Sequence, residues 1–107
     1  MVLSSLLPIP ADHPAYQGHF PGNPILPGVV LLDAALTAVA IARVASVVGW
    51  QVLTAKFHSI VRPGDALMLD HEALSNGTVR FVIRNRDHLV ASGMLKPTPA
   101  LDGATGG

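Results

Sequence analysis

Gly18-His19-Phe20-Pro21-Gly22-Asn23-Pro24-Ile25-Leu26-Pro27-Gly28-Val29-Val30-Leu31-Leu32-Asp33-Ala34 changes character at its middle. Its first half is crowded with glycine and proline, which free or lock the backbone at set points and so specify a path rather than a floppy linker. Its second half is an apolar run. Pro27 or Gly28 opens that run, in line with the preference for proline near a helix N-terminus. The run continues to residue 48, and Gly49 is well placed to end the helix. A helix apolar nearly all round is expected to be buried on nearly all sides of a soluble domain. A membrane span needs roughly 20 apolar residues, and residues 29–48 approach that length. Asp33 and Arg43 argue against a span, because each costs about 2.5–3.5 kcal/mol at a bilayer centre. On a helix these two also point in different directions and cannot pair.

The flanks supply strands. Upstream, residues 3–9 read as a short first strand, followed by the rest of the loop, with Pro10 and Pro14. Downstream, residues 51–61 form a second run, closed by the turn cluster Arg62-Pro63-Gly64-Asp65. Residues 66–74 and 78–86 flank Asn76-Gly77, the strongest two-residue hairpin signal. Asp87-His88 is a plausible tight turn before a last run at 89–96. In the run at 78–86, Phe81 and Ile83 share one face, while Arg80, Val82, Arg84 and Arg86 share the other. That alternation fits a sheet with one buried and one wet face. The expected class is α+β: an antiparallel sheet of about five strands wrapped around one long central helix, since a sheet with one apolar face can be covered by one helix. Residues 1–97 read as a single domain, and 98–107 as a disordered tail.

Composition narrows the function classes. A chain of 107 residues is one domain. Half its residues are hydrophobic, which excludes a disordered chain. Seven Lys+Arg against seven Asp+Glu give zero net charge and argue against a nucleic-acid partner. The absence of cysteine excludes a disulfide scaffold, a cysteine-type zinc site and a cysteine nucleophile. Only 13% of residues are charged, below the roughly 25% of an average domain, so some apolar surface is expected to be hidden in an oligomer. The N-terminus has no basic region and soon meets two prolines, which does not read as a signal peptide. The expected location is cytoplasmic, with no membrane association.

The motif closely resembles the active-site stretch of the 3-hydroxyacyl-acyl-carrier-protein dehydratases, the hotdog-fold lyases of fatty acid synthesis. The likeness extends to Pro10-Ala11-Asp12-His13-Pro14, Lys56-Phe57, Arg62-Pro63-Gly64-Asp65 and Val90-Ala91-Ser92-Gly93, and so covers about residues 8–96. It implies the hotdog fold. It also implies dehydration of a (3R)-3-hydroxyacyl group, held by a carrier-protein phosphopantetheine thioester, to the trans-2-enoyl product. His19 matches the family's catalytic histidine and Asp33 its catalytic acid. Gly28 matches the glycine whose N–H contacts the thioester oxygen. In the family the acid comes from the partner subunit, which implies a homodimer with its sites at the interface; assembly beyond the dimer stays open. Asp33 departs from the commoner Glu. Asp stands there in the dehydratase-isomerase class and in short dehydratase-like proteins of aryl polyene clusters, which this compact chain looks like.

The residues suit that chemistry. Removing a proton beside a thioester carbonyl needs a base that is partly neutral near pH 7, as histidine is. The developing oxyanion needs donors already in place, and a helix N-terminus offers free N–H groups and a positive dipole end. Gly28 has no side chain to block the thioester. The departing hydroxyl needs an acid, and Asp33 lies about 7.5 Å further along the helix axis. A charge among Val30, Leu31, Leu32, Ala34, Ala35 and Leu36 would be costly if buried without a role. Phe20 and Pro21 shape the loop and are candidate substrate contacts, and Val29, with Leu32 and Leu36, bears on the acyl groove. No metal or redox cofactor is implied, and no metal-ligand spacing appears.

The remaining polar residues read more plainly. His13 suits a turn, and His58, His71 and His88 are scattered over strands and a turn. Ser59 and Ser92 lack a nucleophile-elbow context. The stripe Arg80, Arg84 and Arg86 reads as solvated surface, with docking of an acidic carrier protein as the alternative. Two rival functions remain: a hotdog thioesterase that hydrolyses the same thioester, and a non-catalytic acyl-binding partner subunit.

Overall fold

A computed structural model describes residues 2–10, 12–14, 25–43 and 47–99. The chain runs β1 (Val2–Leu7), α1 (Gly28–Ala42), β2 (Val47–Phe57), β3 (Leu67–Ala73), β4 (Val79–Asn85) and β5 (His88–Pro99). The strands make one sheet in the order β1-β3-β4-β5-β2, every neighbouring pair antiparallel. The expected α+β class, one helix against five antiparallel strands, is what forms.

Period-two patterning decides which face is dry. Leu67, Leu69 and His71 of β3, Val79, Phe81 and Ile83 of β4, and Ala91 and Leu95 of β5 are buried on one face. Leu31, Ala35 and Val39 of α1 pack into that cluster. Their spacing of four residues keeps them on one side of the helix. On the opposite face of the sheet, Arg84 grips Asp70 through two bonds, Nε to Oδ2 at 2.6 Å and Nη2 to Oδ1 at 3.1 Å. Ser4 Oγ donates to the same carboxylate at 2.7 Å. The Arg84 bond, reinforced by Ser4, holds the Asp70 carboxyl below the usual range against the opposing pull of burial. On the same face Arg80 Nη2 donates to Glu72 Oε1.

Several expectations need correction. The helix is not buried on nearly all sides: Val29 is 73% and Ile41 70% exposed, because a sheet from the same chain covers only one face. Nor does Gly49 end it. The helix stops at Ala42, and Gly49 lies inside β2, paired with Thr98. Arg43 leaves helical geometry at φ −111° and ψ 62°. There its Nε donates to His71 Nδ1 at 2.9 Å, a bond to a strand 28 positions away that no local pattern announces. With 15 residues α1 spans about 22 Å, and among the described residues no helix is long and apolar enough to cross a membrane.

The turns differ by a residue from the simplest reading. The Asn76-Gly77 hairpin has three loop residues, 75–77, closed by Leu74 N–H to Thr78 C=O at 2.8 Å. Gly77 takes φ +87° after a Leu74–Gly77 turn, which is the three-residue hairpin geometry. Asn76 Oδ1 accepts from Thr78 N–H and Oγ1–H. The next turn falls on Arg86-Asp87, with Asn85 and His88 paired across it and Arg86 at φ 57°. Arg86 is therefore not on the β4 stripe. β5 runs to Pro99, two residues into the expected tail; residues 100–107 lie outside the described residues.

Gly93 is the tightest point of the sheet. A Cβ there would stand 2.6 Å from Phe81 Cε1 and closer still to the Thr54 carbonyl oxygen. Overpacking of this kind typically costs about 1–3 kcal/mol. Gly93→Ala is expected to lower the unfolding free energy by at least that much in urea titration, with Gly49→Ala, a strand glycine whose Cβ would meet open space, as the control for the loss of glycine itself.

Candidate active site

The site is assembled where the chain enters α1. Leu26 N–H donates to Val61 C=O at 2.8 Å and ties the helix entry to the segment after β2. Pro27 is the N-cap residue, and proline carries no donor and no capping side chain. Its carbonyl accepts from Val30 N–H at 3.1 Å and Leu31 N–H at 3.2 Å. By helix geometry the N–H groups of Gly28 and Val29 then have no acceptor within the helix. Among the described residues no side chain caps this end, and no acidic residue stands in the first turn to meet the positive end of the helix dipole.

That end opens on an apolar cavity of about 300 Å³. Ile25, Pro27, Gly28 and Leu31 form one wall, and Phe57 and Ile60 the other. Gly28 lets the two walls approach closely. A Cβ on it would meet the Phe57 ring at 3.0–3.3 Å. Phe57 is half exposed, so its ring lies on the solvent side of the cavity. Its place in the cavity escapes sequence reading, because an aromatic at a strand end looks like core. Only its position in the family-like pair Lys56-Phe57 hinted otherwise.

The other expected site residues fall as follows. His19, Phe20 and Pro21 lie outside the described residues. Val29 is exposed in the first turn and is not among the described residues that line this cavity. Asp33 is exposed, with its backbone carbonyl accepting from Thr37 Oγ1 at 3.0 Å. Five residues at about 100° each put Asp33 some 140° round the helix from Gly28. It points away from Leu31 and from the cavity that Leu31 lines. One chain therefore does not bring Asp33 and its own cavity together.

Several of the remaining polar residues take part in hydrogen bonds or ion pairs. His13 N–H closes a turn on Pro10 C=O at 3.0 Å. Ser59 Oγ donates to Leu89 C=O at 2.9 Å, and His58 Nε2 lies 3.2 Å from Ser92 Oγ. Arg80 and Arg84 are neutralised by Glu72 and Asp70, so the expected basic stripe does not stand as a field of free charge. Among the described residues no three His, Asp or Glu side chains gather in a metal-binding group.

Comparison with known proteins gives the family and the fold. The family model for ApeI-like proteins, described as ApeI dehydratase, matches residues 3–94. The 3-hydroxyacyl-acyl-carrier-protein dehydratase FabZ of Chloroflexus aggregans is 44% identical over 69 residues, which cover 58% of this chain and 48% of that protein. The chain spans about half the length of the curated relatives it matches. Among solved structures, the dehydratase heterocomplex ApeI:P of Xenorhabdus doucetiae is similar with a TM-score of 0.74 at 22% identity, over 91% of this chain and 87% of that one. A variant of the fluoroacetyl-CoA-specific thioesterase FlK is similar with a TM-score of 0.60 at 10% identity, over 99% of this chain and 97% of that one. These two likenesses show the hotdog fold, which hosts more than one chemistry.

Because Asp33 makes no side-chain bond within the described protomer and stands in solvent, it should matter little to folding. Asp33→Asn is expected to leave the unfolding free energy within about 0.5 kcal/mol of the parent, measured by urea titration at a protein concentration where the assembly state is unchanged.

Proposed function

We propose that this chain, which belongs to the ApeI-like dehydratase family, dehydrates (3R)-3-hydroxyacyl thioesters carried on an acyl carrier protein to their trans-2-enoyl products. The observation that carries the reading is the pairing of two features on one helix. An uncapped N-terminus faces an apolar cavity, and a lone carboxylate, Asp33, stands on the opposite, exposed side. A helix that buries Leu31, Ala35 and Val39 gains nothing in stability from a carboxylate there, whereas an elimination needs an acid beside an acyl site.

In this reading the acyl thioester enters at Gly28, whose N–H donates to the carbonyl oxygen as charge develops on it. His19 removes the proton next to the carbonyl. Asp33 of a second protomer gives a proton to the departing hydroxyl, which leaves as water. The apolar walls, Ile25, Leu31, Phe57 and Ile60, receive the start of the acyl chain and keep water from the thioester. Acid–base chemistry of this kind calls on no metal or redox group. The second protomer is a copy of this chain, and the exposed Val29 and Ile41 give it apolar surface to cover. The competing arrangement places a homologous chain there; the name of the Xenorhabdus doucetiae neighbour, a heterocomplex, is what favours it.

Incubation with a trans-2-enoyl thioester of a carrier protein tests the reaction in its reverse, hydration direction. Loss of conjugated-thioester absorbance without free thiol is the expected result, and thiol release would replace the reading with a thioesterase. His19→Ala and Asp33→Asn should each lower kcat by about 10²–10⁴-fold. Mixing the two inactive variants should restore up to about a quarter of the parental activity, because random hybrids hold one intact shared site. No recovery after subunit exchange would rule out a site shared between two copies.

A further inference from the structure

The buried imidazole of His71 has no part in that mechanism, yet it reaches from the sheet to the residue that ends α1. His71 is 2% exposed, on the core face of β3. Arg43, the C-cap residue of α1, donates from Nε to its Nδ1 at 2.9 Å and from Nη2 to its carbonyl oxygen at 3.4 Å. The rest of the helix is held by the buried Leu31, Ala35 and Val39 and the partly buried Val30, Leu32, Ala34, Leu36 and Ala38, whose apolar contacts are non-directional. Directional bonds from the helix segment to the sheet side come at the two ends: Leu26 to Val61 before the first turn, and Arg43 to His71 after the last. Asp33 lies between them, about 15 Å along the axis from Arg43.

The clamp has a single proton state. A guanidinium has donors and no acceptor, so Nδ1 of His71 must keep its lone pair and the ring must be neutral. A proton on Nδ1 would abolish the acceptor and set two cations against each other inside the core. We propose that Arg43 and His71 form a proton-sensitive clamp that positions α1, and with it Asp33, and that releases the C-terminal end of the helix on acidification. The positioning of a catalytic Asp33 rests on the dehydratase reading; the clamp itself does not.

The surroundings leave the switch to this pair. From α1, Arg43 faces the ring. The cross-strand neighbours in β1 and β4 are Leu3 and Phe81, which do not titrate. Asp70 and Glu72 flank His71 on its own strand but point to the other face, where Arg84 and Arg80 hold them. Burial, then Arg43, push the imidazole below its ordinary value of 6.5, and Asp70 opposes them only in part. Between that depressed value and 6.5 the folded protein binds fewer protons at this site than the unfolded chain. The clamp's contribution is therefore fully present above about pH 6.5 and is lost as the pH falls through the folded value.

The test follows the amide resonances of Asp33 and Arg43 by NMR from about pH 8 to 5, beside the urea midpoint over the same range, for the parent and for His71→Asn. Asn keeps an acceptor oxygen near the Nδ1 position but does not titrate. In the parent, both amides should shift with the titration of the His71 ring and the midpoint should fall with them; in His71→Asn both dependences should flatten. Arg43→Met should lower kcat for enoyl-thioester hydration about tenfold with KM changed less than about twofold, and Arg43→Lys should recover part of it. An Asp33 amide indifferent to His71 titration, or an acid-dependent loss of midpoint that persists in His71→Asn, would overturn the clamp. A parent that hydrates no enoyl thioester while its Asp33 amide still follows His71 would support the clamp and overturn the dehydratase reading instead.

Discussion

One apolar helix against a sheet that can cover only one side of it is the constraint from which the other features follow. α1 buries the stripe Leu31, Ala35 and Val39 in the sheet and leaves Val29 and Ile41 in solvent. The opposite face of the sheet carries the ion pairs Arg84–Asp70 and Arg80–Glu72. The uncovered side of the helix is where Asp33 stands, and the covered side is continuous with the cavity at Gly28. The two halves of the proposed chemistry are thus separated by the helix itself. A second protomer is the economical way to reunite them, which makes assembly a part of the catalytic proposal and not an addition to it.

Apolar packing and polar bonds divide the labour in this small core. Burial supplies the driving force, but Ala35 and Val39 offer little relief to stop a helix from sliding. The bonds Leu26–Val61 and Arg43–His71 supply the register at either end. Gly93 plays the corresponding part within the sheet. It gives the Phe81 ring and the Thr54 carbonyl the space that β2 needs to close onto β5 after its irregular register between Val52 and Thr54.

The errors of the sequence reading have a common cause. Pro27-Gly28 marked the helix start because proline acts on its own backbone. Gly49 misled at the other end because the helix already stops at Ala42, where Arg43 leaves helical geometry and bonds His71, a partner distant in sequence. Arg86 was assigned to a stripe because alternation cannot show that the strand ends at Asn85 and the next residue takes φ 57°. Thr98 looked like tail because its partner, Gly49, is far away in sequence. The stripe Arg80 and Arg84 looked unbalanced because its carboxylates, Glu72 and Asp70, sit on the neighbouring strand.

The amino-acid sequence by itself determined the element types, the dry face of β4, the likeness to a dehydratase motif and the candidates His19, Gly28 and Asp33. Each of these rests on local backbone rules or on a fixed spacing of residues. Tertiary structure alone decided that Phe57 walls the cavity, that His71 is buried against Arg43, and that Asp33 turns away from the cavity of its own chain. These depend on how a helix is rotated and seated on a sheet. That rotation is a property of contacts between residues distant in sequence, which periodicity along the chain does not encode.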